Sequence, residues 1–144
     1  MVPVGWRAGH GATTYEWMLE HDGPDAWRRY YGERPGWIFT HRDLARSDAD
    51  LTLVQGDVGP AYEEMAKRLG GANLWLVGGG DLVGQFHDAG LLDEIILGMA
   101  PATLGAGAPL LPRRITSKQL AFQSAELIGQ RIRIVLSVQH LAQP

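Results

Sequence analysis

The run Asn73-Leu74-Trp75-Leu76-Val77, followed at once by Gly78-Gly79-Gly80 and a helical pattern from Asp81 to Ala89, constrains the fold more than any other segment. A continuous apolar run that does not alternate and is closed by glycine reads as a strand buried on both faces, the habit of parallel sheets covered by helices. Parallel neighbours need helical crossovers, and the chain supplies the parts. Trp37 to Thr40, Leu51 to Val54 and Ile95 to Met99 read as further strands. Helices are expected from Thr13, with a Thr cap and an acid in the first turn, and from Trp27 to Tyr31. Another is expected from Pro60 to Leu69, where Ala61, Tyr62, Met65, Ala66 and Leu69 share one face against Glu63, Glu64, Lys67 and Arg68. The helix from Asp81 to Ala89 presents Leu82, Val83 and Phe86. Beyond Pro101 a Gly/Pro-rich loop runs to Pro112, and Gln119 to Leu127 and Gln130 to Gln139 flank Ile128-Gly129 as an antiparallel hairpin. The expected fold is one three-layer α/β/α domain over residues 1–144, a mostly parallel sheet closed by a C-terminal antiparallel hairpin.

Composition enters by exclusion. The 144 residues contain no cysteine, so disulfides, thiolate metal sites and cysteine nucleophiles are ruled out. No apolar run reaches the roughly 18–20 residues of a membrane helix, and the start lacks a secretory pattern, so a cytoplasmic protein is expected. Residues 1–100 hold 8 basic and 15 acidic side chains, and residues 101–144 hold 5 basic and 1 acidic. An acidic main body argues against a nucleic-acid platform.

The glycine turn is the strongest chemical signal. Three glycines between strand and helix let the backbone turn sharply and approach a ligand, and the free N–H groups of the helix start favour a phosphate. Spacing alone leaves a second reading open, a tight turn with Asp81 as an ordinary cap. Known fingerprints fail: G-x-G-x-x-G would need glycine at Val83, and the phosphate-loop pattern breaks at Gln85. The histidines at 10, 21, 41, 87 and 140 form no close ligand pair, so no metal site is expected. No G-x-S-x-G elbow occurs, and the adjacent carboxylates of Glu63-Glu64 and Asp93-Glu94 point apart. Trp37 and Trp75 are expected in the core.

Taken in order, Leu74 to Val83, then Ala89-Gly90-Leu91-Leu92-Asp93-Glu94, then Pro101-Ala102-Thr103-Leu104-Gly105-Ala106-Gly107-Ala108-Pro109-Leu110 closely resemble one family. It is the reductase domain at the C-terminus of the bacterial riboflavin-biosynthesis deaminase–reductase, of dihydrofolate-reductase-like fold. Gly11-Ala12-Thr13-Thr14-Tyr15 is similar to that superfamily's G-R-x-T-Y segment, and Phe39-Thr40-His41-Arg42 to its V-L-T-x-R segment. The resemblance implies an NADPH-dependent reductase. Gly78, Gly79 and Gly80, with Asp81 and Leu82 behind them, would hold the cofactor pyrophosphate. Gly11, Thr13 and Thr14 would add phosphate contacts, and Thr40, His41 and Arg42 would flank the adenosine end, with Arg42 facing the 2′-phosphate. Leu104, Gly105, Gly107 and Pro109 would border the substrate.

The implied substrate is a small molecule, a phosphoribosylamino-uracil of riboflavin synthesis, whose phosphate Arg113 and Arg114 would meet; for these arginines alone, a solvated pair is the other reading. A homodimer is implied. A folate-type or other small-molecule reductase, or a nucleotide-binding or dimerising descendant without catalysis, are the alternatives. Two departures stand out. Ala12 replaces the cationic residue of the G-R-x-T segment. Only ten residues precede Gly11, and Pro3, Gly5 and Gly9 among them speak against a full strand and helix, so the N-terminal strand is expected to be missing. Catalytic residues are not assignable.

Overall fold

The chain condenses around a short parallel sheet whose two faces are sealed by different helix pairs. The computed structural model describes residues 5–44 and 50–140. Its elements are β1 (Arg7–Gly11), α1 (Ala12–Asp22), α2 (Ala26–Tyr31), β2 (Gly36–Phe39), β3 (Leu51–Val54), α3 (Val58–Leu69), β4 (Leu74–Leu76), α4 (Gly80–Asp88), β5 (Glu94–Met99), β6 (Leu120–Ile128) and β7 (Arg131–Val138). Strands β3-β2-β1-β4 form an all-parallel sheet, with Gly9 opposite Trp37 on one side and Leu76 on the other.

Alternation along β1 and β2 feeds two cores. Ala8 and Ile38 pack with Tyr15, Met18, Ala26 and Trp27 of α1 and α2. Trp37 and Phe39 pack on the opposite face with Val58, Met65 and Leu69 of α3 and Leu82 and Phe86 of α4. The three-layer arrangement is therefore present, and Trp37 fills the core while Trp75 is half-buried. Two residues of the first core bear on stability. His10, on β1, is 1% exposed and lies against the rings of Trp27 and Tyr31 at 5.1 and 5.2 Å. Gly36, the first residue of β2, lies under the fully buried Trp27, where a Cβ would fall 2.1 Å from Cζ2.

The structure departs from the sequence reading in three places. β1, which ends at Gly11, does form despite Gly9 and occupies the interior of the parallel sheet, paired on both sides, while no strand-and-helix unit lies ahead of it among the described elements. Gly9 is no obstacle there, because it lets the side chains of Leu76 and Leu74 come within 3.4 and 3.5 Å of its absent Cβ. No helix precedes β1 among the described residues, and Pro3 lies outside them. Secondly, the hairpin does not close the parallel sheet. β5 pairs antiparallel with β7, giving a separate sheet of order β5-β7-β6, with a register irregularity between Phe122 and Ser124. Thirdly, the helix starts shift. α1 begins at Ala12 with Gly11 as its cap and no acid in its first turn, in place of a Thr13 cap. α4 is capped by Gly79, so Asp81 lies inside the first turn and makes no side-chain cap bond.

The antiparallel sheet leaves one face open. Cross-strand partners share a face, which aligns Met99, Ile132 and Leu127 in one row and Ile95, Leu136 and Phe122 in another. Of these, Phe122 and Leu127 are more than three-quarters exposed.

Candidate functional site

In an open parallel sheet, ligands bind beyond the carboxyl ends of the strands, where neighbouring strands send their connections to opposite faces. Here that point lies between β1 and β4. The chain leaves β1 for α1, on the face of the first core, and leaves β4 for α4, on the face of the second. A cleft of about 220 Å³ opens there. Every parallel strand contributes its C-terminal end or the residues just after it: Gly11 from β1, Phe39, Thr40 and His41 from β2, Val54 and Gly56 from β3, and Gly79 after β4.

Two helix starts converge on this cleft. Gly79 has φ +81°, and the space where its Cβ would stand is 3.9 Å from the N and Cα atoms of Gly11, the cap of α1. Gly78 has φ +80° and faces the Thr14 side chain at 3.5 Å. The positive φ values explain why glycine is needed at both positions. The first N–H groups of α1 and α4 have no helical acceptors and carry the positive ends of two helix dipoles. Ala12, Thr13 and Thr14 line the cleft beside Asp81, Leu82 and Gln85. Among the described residues the lining holds neither lysine nor arginine, so backbone N–H groups and hydroxyls are the donors available to an anion.

The third glycine has a different explanation from the other two. A Cβ on Gly80 would meet the carbonyl oxygens of Leu110 at 2.5 Å and Pro109 at 3.1 Å, so a segment of the Gly/Pro-rich loop lies across the start of α4. Arg113 ties that segment down. Its Nε donates to Asp88 at 2.6 Å, and its Nη1 donates to Asp81 at 3.3 Å and to the Pro112 carbonyl at 2.9 Å. The Arg113 hydrogen bond, helped by a weaker one from His87, holds the Asp88 carboxyl below its ordinary pKa. A Cβ on Gly84 would stand 2.8 Å from the guanidinium carbon, so glycine there leaves room for it.

Of the residues expected at a cofactor site, Gly11, Thr13, Thr14, Thr40, His41, Gly79, Asp81 and Leu82 line one cleft. Gly78, Gly80 and Arg42 are not among its lining, and Arg42, next to His41 in the chain, holds its Nη2 2.8 Å from the Glu16 carboxylate. Thr40 Oγ1 accepts from the Arg42 N–H at 2.9 Å, which fixes the turn that carries His41. The expected substrate-side residues Leu104, Gly105, Gly107 and Pro109 do not line the cleft, and Leu104 is 86% exposed. Phe39, Val54, Gly56 and Gln85 were not singled out from sequence. The Gln55-Gly56-Asp57 break after a strand was the available signal for Gly56. No group of three or more metal-ligating side chains is found among the described residues. Nor is any described helix long and apolar enough to cross a membrane.

Comparison with known proteins decides the family, because the model of the RibD C-terminal domain matches residues 26–134. The chain belongs to the RibD C-terminal domain family. Within that family's reach, it is 26% identical over 104 residues to YwjB, an uncharacterized protein of Bacillus subtilis strain 168. The match takes in 72% of this chain and 59% of YwjB, so the chain spans well under two thirds of that relative's length. A putative riboflavin biosynthesis protein from Shewanella sp. PV-4 superposes with a TM-score of 0.71 at 18% identity, covering 93% of this chain and 74% of its own. A pyrimidine reductase-like protein of Corynebacterium diphtheriae gives 0.66 at 13% identity, covering 93% and 76%. Acinetobacter baumannii RibD gives 0.61 at 15%, covering 92% of this chain and 47% of that protein. At these identities the structural matches establish a shared dihydrofolate-reductase-like α/β fold for this RibD C-terminal domain.

Proposed function

We propose that this RibD C-terminal domain binds NADPH at the carboxyl ends of β1–β4 and serves reduction of a small acceptor, a ribosylaminopyrimidine phosphate of riboflavin synthesis by family. One observation carries the reading: two glycine-capped helix starts, at Gly11 and Gly79, line the same strand-end cleft, so close that a Cβ on Gly79 would stand 3.9 Å from the Gly11 backbone. Such a pair suits a pyrophosphate, since backbone can come close and both dipoles favour negative charge. The cleft's 220 Å³ is below the roughly 300–1,000 Å³ of a complete ligand pocket, so it takes the phosphate-bearing section of a dinucleotide and leaves the rest across its mouth.

When bound, the nicotinamide supplies the hydride, and the protein supplies position and electrostatics. The N–H groups at the start of α1 and α4, with Thr13 and Thr14, would hold the pyrophosphate. Arg42 would read a 2′-phosphate by exchanging its partner Glu16. Both side chains are about half exposed, and such pairs are worth only about 0–1 kcal/mol, so the exchange is inexpensive. Ala12 adds no cation, which leaves the hold on phosphate to backbone N–H groups and threonine hydroxyls.

A second reading, a dinucleotide-binding relative without catalysis, draws on one fact: none of Leu104, Gly105, Gly107 and Pro109 lines the cleft. Loss of NADPH absorbance on addition of a pyrimidine acceptor separates the two readings. The site itself is tested by thermal stabilisation. NADPH raises the Tm of the wild type, whereas Gly79→Ala weakens NADPH binding by about tenfold, because a side chain is strained at φ +81° and fills the approach to Gly11. Equal shifts in both proteins would remove the glycine turn from the site.

The homodimer is proposed on the exposed apolar face of β5-β7-β6, a surface free of charged side chains along Met99, Phe122, Leu127 and Ile132. Phe122→Glu is expected to convert a dimer to a monomer in sedimentation. A wild type that sediments as a monomer contradicts the proposal.

A further inference from the structure

Asp81 poses a problem that the cofactor reading leaves open. Asp81 lines the cleft in the first turn of α4, where a carboxylate competes with an anion for the helix dipole. Both of its oxygens are engaged: Oδ2 accepts from Gln85 Nε2 at 2.9 Å and Oδ1 from Arg113 Nη1 at 3.3 Å. Arg113 comes from the far side of the Gly/Pro-rich loop, and its side chain is only one-quarter exposed while that of Asp81 is 69% exposed. The approach has been made possible twice over by glycine, at Gly80 beneath the Leu110 carbonyl and at Gly84 beneath the guanidinium.

We propose that Arg113 is a positioning residue for the anion site: it holds the Asp81 carboxylate back along α4 and cancels its charge, so that a phosphate group can occupy the adjoining helix start. The inference rests on the cofactor reading and adds to it a residue that touches no ligand. It replaces the expectation that Arg113 meets a substrate phosphate, because the guanidinium is already committed to Asp88, Asp81 and the Pro112 carbonyl. Removing Arg113 leaves an uncompensated carboxylate beside the bound anion, a like-charge contact screened only by water and salt. The alternative role, in which Arg113 merely pins the loop through Asp88, makes a different prediction about Asp81.

A double-mutant cycle read by calorimetric titration of NADPH distinguishes the two roles. R113Q weakens binding by about tenfold at low salt, and the loss shrinks as KCl is raised through several-fold increases in ionic strength. In the D81N background the same R113Q change costs less than about threefold, since the charge it compensated is gone. R113K, which keeps the charge, stays within about threefold of wild type. D88N covers the case in which R113Q does not fold. It removes the charge of the closer of the two carboxylates on Arg113, leaves Asp81 as the remaining one among the described residues, and binds NADPH as tightly as wild type or more so. An equal R113Q loss in both backgrounds, a loss insensitive to salt, or a weakened D88N assigns Arg113 to loop anchoring and overturns the inference. A wild type that binds no NADPH overturns the cofactor reading and this inference together. Wild-type binding with an unaffected R113Q overturns the inference alone.

Discussion

Between pH 6.5 and pH 4 the unfolding free energy of the chain falls by about 3 kcal/mol through His10, and His10→Leu removes that share of the pH dependence. His10 is buried at the centre of β1, and neither ring nitrogen has a hydrogen-bond partner among the described residues. Burial pushes its pKa from 6.5 down to about 4, because a charge in that setting has nothing to offset its lost hydration. The direction follows from proton counting. Above pH 6.5 both folded and unfolded chains carry a neutral ring, and the full stability is present. As pH falls from 6.5 to 4 the unfolded chain takes up a proton that the folded chain refuses, so stability drops, and below about 4 this contribution levels off. At neutral pH the leucine variant should be as stable as wild type or more so, since it replaces two unpaired buried nitrogens by apolar volume. Urea unfolding of both proteins at a series of pH values gives the comparison, in which carboxylate titrations cancel. Parallel curves would mean that His10 has a proton acceptor or donor in solution that the packing does not show.

Gly36→Ala is expected to destabilise the chain by about 3 kcal/mol or more, near the top of the range for overpacking. A Cβ at Gly36 would overlap the Trp27 ring, with Cζ2, Cη2 and Cε2 at 2.1, 2.8 and 3.0 Å. The indole has little freedom to yield. Trp27 is fully buried, it contacts Tyr31 and His10 at 4.6 and 5.1 Å between ring centres, and Ala26 and Ile38 beside it are also fully buried. Combining Gly36→Ala with Trp27→Leu should recover part of the loss relative to the sum of the single changes, because the smaller side chain vacates the contested space. Strictly additive losses in thermal unfolding would contradict the packing account.

Local pattern made the parallel layer legible. The unbroken apolar run through Trp75 pointed to a strand buried on both faces, and the glycines after it to a sharp turn into a helix; the turn is present, and the strand forms as β4, at the edge of the parallel sheet with its three residues half-buried. The convergence of Gly11, Thr13, Thr14, Thr40, His41 and Gly79 was accessible through family resemblance, since each lies at the end of a strand or in the turn and helix start that follow it, and the sequence alone does not specify the order of those strands. What escaped was decided by partners distant along the chain. β5 resembles the other apolar strands, and only its register against β7 places it in the antiparallel sheet. The reason for Gly80 is a carbonyl thirty residues later. Arg113 finds Asp88 and Asp81 at separations of 25 and 32 residues, so as a sequence feature it could be read only as one of two basic residues after a loop. Gly36 has no local mark at all, because its necessity comes from the ring of Trp27.

The cleft at the ends of β1–β4 is proposed as a dinucleotide site selective for the 2′-phosphate. Calorimetric titration of the wild type with NADPH and with NADH tests it most directly. NADPH is expected to bind in the micromolar range or tighter and NADH more weakly, with a preference that shrinks about tenfold in Arg42→Ala as the guanidinium–phosphate contact is lost. No heat and no thermal stabilisation with NADPH at millimolar concentration would contradict it, and the cleft would then serve some other anion or none.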